Sequence, residues 1–379
     1  MRSLPPLVTQ GPELSPAQLE RYSRHLLLPG LGMSGQRRLL NARVCVVGAG
    51  GLGSPALLYL AAAGVGHLTV IDHDVVEVSN LQRQVLHRAE SVGTSKAESA
   101  RAALLGLNPG IEVISRHAQV RADTVHDLLG GHDVVVDGTD NFATRYLVND
   151  ACVQMGLPLV WGAVLRYDAQ VSTFLPPALV PPAEAVQLRD LFPAMPSPEA
   201  VPSCAEAGVL GALCGQVGSM MASEVVKLVT GVGEPVTGRV LVIDVASMRT
   251  REIPLRPASD REATTPHSPT PSAPSALASA SPTEVSGELA SLTVLDVREP
   301  VEHQLGTIPG ALLVPLGELL SWRSVGELQR RRVVVTCKTG PRAERAARHL
   351  LELGHGDVRV LSGGMRRWVE EVDPSLPRY

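Results

Sequence analysis

At 379 residues and 44% hydrophobic content, the chain exceeds what a single core usually organises, so two domains are expected. A formal net charge of −4, with no basic stripe interleaved with aromatics, removes the electrostatic footprint of a nucleic-acid binder. The longest apolar stretches, around 55–66 and 208–222, are too short or too broken by Gly and polar residues for a bilayer span, and the N-terminus has no apolar signal core; a cytoplasmic protein without a membrane partner is expected.

In chain order, Arg43-Val-Cys-Val-Val-Gly48 is a short apolar run ending in glycines, and Leu68–Asp72 is another after a stretch rich in Ala and Leu. That is a β-α-β unit. Runs at Asp133–Asp137 and Leu157–Trp161 flank a helical segment from Asn141 to Met155, which predicts a doubly wound, mostly parallel Rossmann-like sheet with helices on both faces. Residues 176–202 are Pro-rich and aperiodic, long for an ordinary connection, and read as a functional or mobile loop leading into Cys204. A helix candidate runs on to Thr230, Arg239–Asp244 reads as a returning strand, and the first domain closes near Leu255, spanning 1–255.

Residues 256–287 are Pro, Ser, Thr and Ala with few large apolar side chains, too little to bury, and read as a disordered linker of about 30 Å reach. A small α/β domain follows over 288–379, with strands at Leu292–Asp296 and Val333–Thr336.

Gly48-Ala-Gly50-Gly51-Leu-Gly53 follows a strand and opens a helix, a setting in which glycines let backbone approach phosphates at the positive helix end. Asp72, ending the next strand, stands where a carboxylate holds ribose hydroxyls, for a nicotinamide dinucleotide as well as for ATP. Asp74, Asn80, Arg83 and Lys96 downstream, with Arg24 upstream, suit a triphosphate better than a dinucleotide, because the cations neutralise its oxygens and the amide can donate hydrogen bonds to them.

Arg21-Tyr-Ser-Arg24, Gly48–Gly53, Asp72-His-Asp74, Ser79-Asn-Leu-Gln-Arg83-Gln84, Gly93-Thr-Ser-Lys96 and Asp137-Gly-Thr-Asp140-Asn141 together resemble the MoeB/ThiF family of adenylyltransferases, relatives of ubiquitin-activating enzymes, across about residues 17–255. The resemblance implies ATP-dependent adenylation of the C-terminal glycine of a small ubiquitin-like sulfur-carrier protein ending in Gly-Gly. It assigns the phosphate loop to Gly51, the ribose to Asp72, phosphate contacts to Asn80, Arg83 and Lys96, and Mg²⁺ with the reacting phosphate to Asp140. It implies a homodimer in which Arg24 reaches the other subunit's site. It also likens Cys204, in Ser-Cys-Ala-Glu-Ala-Gly208, to the cysteine facing the adenylate, as covalent carrier or disulfide former.

Cys45 lies within a strand, and Cys152 and Cys214 on apolar helical stretches, so all three read as core. Cys337 differs. It ends an apolar strand and opens Cys337-Lys338-Thr339-Gly340-Pro-Arg342, a strand-to-helix loop whose N–H groups and helix end favour a thiolate. With Asp296, Arg298, His303, Ile308-Pro-Gly-Ala311 and Gly363-Gly364, this resembles a rhodanese domain over about 288–379. Four residues between Cys337 and Arg342 resemble the sulfurtransferase form of the loop, in which Arg342 would steady an anionic donor beside Lys338. Thiosulfate or a cysteine desulfurase would supply the sulfur.

MoeB/ThiF relatives often hold a structural zinc with two Cys-x-x-Cys pairs. Here Gln187 and Asp190 stand where the first pair would fall and nothing replaces the second, so no zinc site is expected. The alternatives at this stage are a nicotinamide-dependent oxidoreductase and an adenylyltransferase whose second domain is only a docking module. Neither the carrier nor its pathway (molybdenum cofactor, thiamine, tRNA thiolation or cysteine) is legible.

Overall fold

The structure, a computed structural model, describes residues 4–181, 184–196, 207–258, 277–326, 328 and 331–378. The chain divides into two compact units, residues 1–266 and 267–379.

Unit 1 is built on an eight-stranded sheet of β1 (Arg43–Val47), β2 (His67–Ile71), β3 (Glu112–Arg116), β4 (Val134–Asp137), β5 (Leu159–Leu165), β6 (Asp168–Phe174), β7 (Arg239–Asp244) and β8 (Arg249–Pro254). Their order is β3-β2-β1-β4-β5-β6-β7-β8. The first five are parallel, and β6, β7 and β8 continue as an antiparallel meander. Alternate residues of β1 feed two separate cores. Val44 and Val46 pack with Leu57, Leu104 and Val217 from the helices Gly53–Ala63, Lys96–Leu107 and Gly211–Thr230. Cys45 and Val47 pack on the other face with Tyr146, Val148 and Trp161. Burial on both faces is why these strands read as unbroken Val runs instead of alternating ones.

The Pro-rich stretch is not wholly loose. Ala185, Val186 and Leu188 are buried, and Val186 and Leu188 join the second core, so apolar residues scattered among prolines anchor a segment that its lost periodicity marks as a loop. Cys204 lies outside the described residues.

Unit 2 has a five-stranded parallel sheet of β9 (Ser279–Ala280), β10 (Thr293–Asp296), β11 (Leu312–Leu313), β12 (Val333–Thr336) and β13 (Val358–Leu361), ordered β11-β10-β12-β13-β9. The expected linker, 256–287, therefore ends too late. Ser279–Ala280 pairs with β13, and Pro282–Glu288 is a helix capped by the reciprocal Ser281–Glu284 box with Val285 buried beneath it. A cap, Pro at the first helical position and one apolar anchor suffice for a short element that composition averages away. Residues 259–276 of that stretch lie outside the described residues.

Candidate functional site

Sheet order reverses between β1 and β4, the switch point at which open α/β sheets form a crevice at their strand ends. There a cleft of about 860 Å³, including its solvent-open mouth, is lined by the glycine loop, Asp72, Asp74, Arg83, Lys96, Asp140 and Arg145, among others. The loop is drawn tight. A Cβ built on Gly53 would lie 1.8 Å from the Gly48 carbonyl oxygen, so only glycine admits this turn into the helix. Asp72, nearly buried, accepts from Ala49 N at 2.8 Å and from Asp74 N at 2.8 Å. It therefore braces the loop while keeping lone pairs for a ligand.

Lys96 starts its helix almost fully buried, with Nζ 2.9 Å from Asp74 Oδ2. Partial burial pushes the Asp74 carboxyl up, but the Lys96 ammonium, His73 and His117 outweigh it and hold Asp74 below its ordinary range. Arg83 bonds the Ser79 carbonyl at 3.0 Å, and its stem passes beside Gly51. Asp140 is exposed at the cleft, and its carboxylate makes no side-chain hydrogen bond among the described residues. Two predicted residues are not in the cleft wall. Asn80 is buried in a reciprocal cap with Glu77, its Oδ1 accepting from Glu77 N at 3.2 Å, and Arg24 is exposed on the short helix Ser23–Leu26.

The cleft also holds residues to which the sequence assigns no role there. Gln84 is buried, with Nε2 about a van der Waals contact from a Cβ built on Gly50, and its Oε1 has no hydrogen-bond partner. Its place beside Arg83 is the only signal for it. Cys214 is buried as expected, yet it lines the cleft, its sulfur 3.1 Å from a Cβ built on Gly51, and nothing in the sequence marks that approach. Arg145 reaches in from the helix Phe142–Met155 and is nearly buried.

In unit 2, Cys337 follows β12 and is buried, and Gly340 N donates to its sulfur at 3.1 Å. The helix Pro341–Glu352 begins beyond it. Met365 N and Arg366 N, from the helix Gly364–Glu371, donate to the Cys337 and Lys338 carbonyls at 2.8 and 3.0 Å. A Cβ on Gly364 would meet the Cys337 oxygen at 2.4 Å, which explains the Gly363-Gly364 pair. Thr339 and Gly340 also border a groove with Leu277, Ser279 and Ser362. Arg342 is not a free cation over the loop. Its guanidinium grips Glu302 with two bonds, 2.6 and 2.8 Å, both partners largely buried. Asp296 and Arg298 form a fully buried pair that also holds the Glu302 and Gly306 carbonyls.

The residues standing where a zinc knuckle would be do other work. Gln187 N donates to Asp190 Oδ2 at 2.8 Å, Ala258 N to Asp190 Oδ1 at 2.9 Å, and Asn149 Nδ2 to Gln187 Oε1 at 3.2 Å. An amide and a carboxylate already committed to backbone donors do not fit a closed tetrahedral thiolate centre. A hydrogen-bonded cap fits them.

Residues 22–264 match the ThiF family, and residues 281–371 match the rhodanese-like domain. The chain is 45% identical over 395 residues to the probable adenylyltransferase/sulfurtransferase MoeZ of Mycobacterium tuberculosis, covering 100% of this chain and 99% of that one. It is 50% identical over 243 residues to the SAMP-activating enzyme E1 of Haloferax volcanii, covering 64% of this chain and 87% of that one. Among solved structures it shares the fold of E. coli MccB crystallised with ATP, at a TM-score of 0.54 and 21% identity, over 63% of this chain and 72% of that one. Among the described residues no helix is long and apolar enough to cross a membrane.

Proposed function

The chain belongs to the ThiF family and carries a C-terminal rhodanese-like domain, and from that membership we propose that it adenylates and then thiolates a small ubiquitin-like sulfur-carrier protein ending in Gly-Gly. It is an adenylyltransferase and sulfurtransferase. The observation that carries the reading is the single cleft at the ends of β1 and β4, where the glycine loop, Asp72, Arg83, Lys96 and Asp140 converge. The nicotinamide alternative draws no support from this membership.

A carboxylate is a poor acyl donor until its oxygen becomes part of a good leaving group. The carrier's terminal carboxylate oxygen bonds to the α-phosphorus of ATP as the bond to pyrophosphate breaks. Asp72 orients the ribose, and Arg83 and Lys96 take up phosphate charge, with Asn80 contributing from behind the wall. Asp140, with its uncommitted carboxylate, offers the hard oxygen ligands that Mg²⁺ takes. When bound, the ion neutralises phosphate charge. Arg24, outside the cleft wall of its own chain, would complete the other subunit's site in a homodimer.

The terminal sulfur of a Cys337 persulfide then bonds to the activated carbonyl carbon as AMP departs. A second thiol cleaves the sulfur–sulfur bond and releases the thiocarboxylate. Cys204 is the sequence's candidate for that disulfide-forming step, or for carrying the acyl group. Lys338, Thr339 and Gly340 cradle the persulfide. Thiosulfate or a cysteine desulfurase charges it, in the cytoplasm and without zinc. Adenylation lies within 1–255, and sulfur transfer in the C-terminal unit.

Asp140→Ala should abolish carrier-dependent ATP–pyrophosphate exchange while sparing thiosulfate:cyanide sulfurtransfer, and Cys337→Ala should do the reverse and block thiocarboxylate formation. Equal loss of both activities in either folded variant would contradict two separable sites. Normal thiocarboxylate yield from Cys337→Ala, without added sulfide, would reduce the second unit to a docking module.

A further inference from the structure

Asp140 follows two peptide planes that are each gripped. Thr139 donates its N–H and its hydroxyl to Asp137 Oδ1, at 3.0 and 2.7 Å, which fixes the 138–139 peptide. The Thr139 carbonyl, part of the 139–140 peptide, accepts from two nitrogens of Arg145, Nε at 3.3 Å and Nη2 at 2.8 Å. On the far side Asn141 caps the helix by accepting from Thr144 N at 2.9 Å. The guanidinium itself lies against Phe142 and Trp161, its carbon 5.4 and 5.8 Å from the ring centroids. Among the described residues Arg145 makes no ion pair within 4.0 Å, although only 6% of it is exposed. Its charge also acts on the buried Asp137 carboxyl, offsetting part of that group's burial, yet it closes no ion pair there and its direct polar contact is the Thr139 carbonyl.

We propose that Arg145 is a positioning residue for adenylation: by fixing the 139–140 peptide plane it sets the direction in which the Asp140 carboxylate leaves the backbone. Asp140 has no side-chain partner to aim it, so its aim comes from the peptide it hangs on. The proposal rests on the reading that Asp140 serves the metal and phosphate end of the cleft. A lysine at 145 keeps the charge but has neither the planar fork nor the stacking face, so it cannot reproduce the grip.

The test uses the full chain with Asp140→Ala, Arg145→Gln, Arg145→Lys and the double variant Asp140→Ala/Arg145→Gln. Calorimetric titration with ATP, with and without Mg²⁺, reads how much the ion tightens binding. Arg145→Gln should lose about tenfold of that tightening, and the double variant should bind like Asp140→Ala alone, because a residue acting through Asp140 has nothing left to act on. In pyrophosphate exchange, kcat of Arg145→Gln should fall on the order of a hundredfold, as for an Ångström-scale misplacement, while KM for ATP rises by no more than the roughly tenfold lost in binding. Arg145→Lys should recover little of either. Wild-type tightening in Arg145→Gln, or losses that add in the double variant, would overturn the positioning role. Should Arg145→Gln fail to fold, wild-type kcat in Arg145→Lys overturns it instead. If Asp140→Ala itself behaves as wild type, the reading of Asp140 fails first, and the two failures are distinct.

Discussion

Replacing Glu302 with Ala should destabilise the second unit far more than removing a surface charge would. Glu302 takes both Arg342 bonds, and the two side chains are only 13% and 11% exposed. It also accepts the Glu299 N–H at 3.0 Å, closing the first turn of its helix. An exposed pair contributes about 0–1 kcal/mol, whereas stripping one partner from a buried pair costs about 3–5 kcal/mol because its Coulomb and hydrogen-bond compensation is lost while the other charge stays desolvated. With the pair about one-eighth exposed, the lower end of the second range applies, about 3 kcal/mol. Hydrogen exchange of the β12 amides, measured in the full chain, should then lose about two orders of magnitude of protection, since each 1.4 kcal/mol is tenfold. The double variant with Arg342→Ala should cost less than the two single losses together. Burial pushes the Glu302 carboxyl up, but Arg342 and the Glu299 N–H more than offset it and leave it below its ordinary value. Its stabilisation is therefore complete above about pH 4.5 and lost as pH falls through the folded value, so the variant should show a flatter acid limb. A loss under about 1 kcal/mol, with unchanged acid sensitivity, would refute the argument that the pair clamps this loop. The same variant probes the sequence expectation for Arg342, which once released should lower KM for thiosulfate.

Gly53→Ala should eliminate ATP binding, because its Cβ would overlap the Gly48 carbonyl, a backbone atom that cannot turn away; wild-type affinity by calorimetry would remove the close-approach argument. Asp137→Asn should be tolerated. Burial pushes that carboxyl up, only partly offset by Arg145 and the Thr139 donors, so its contribution is complete below about pH 3.8 and shrinks as pH rises toward the folded value. The amide should therefore gain stability over wild type as pH rises above about 3.8, and a parallel pH dependence of the two melting curves from there upward would count against this. Chelators should leave the thermal transition unchanged, and Asp190→Ala should cost about 1–2 kcal/mol through its two lost backbone donors. Elemental analysis finding about one zinc per chain would sink that expectation.

Local chain chemistry is enough to mark the β-α-β start, the glycine loop and the Cys337 loop, because each is an apolar run punctuated by glycine within a dozen residues. The match to the ThiF family and to the rhodanese-like domain agrees with that reading. The short strands β9 and β11 escape it, since two residues carry no period and exist only through their pairing with β13 and β10. The same limit holds for side-chain partners. Sequence places Arg342 beside the sulfur loop, but Glu302, forty residues earlier, claims its charge. Sequence assigns Cys214 to a core, but the packing of the Gly211–Thr230 helix brings its sulfur to the glycine loop. Residue type and spacing determine which groups are available for chemistry. Which of them face the cleft, and which are already spent on one another, was decided by long-range packing, because a buried charge is satisfied by whatever partner the fold brings within hydrogen-bond reach.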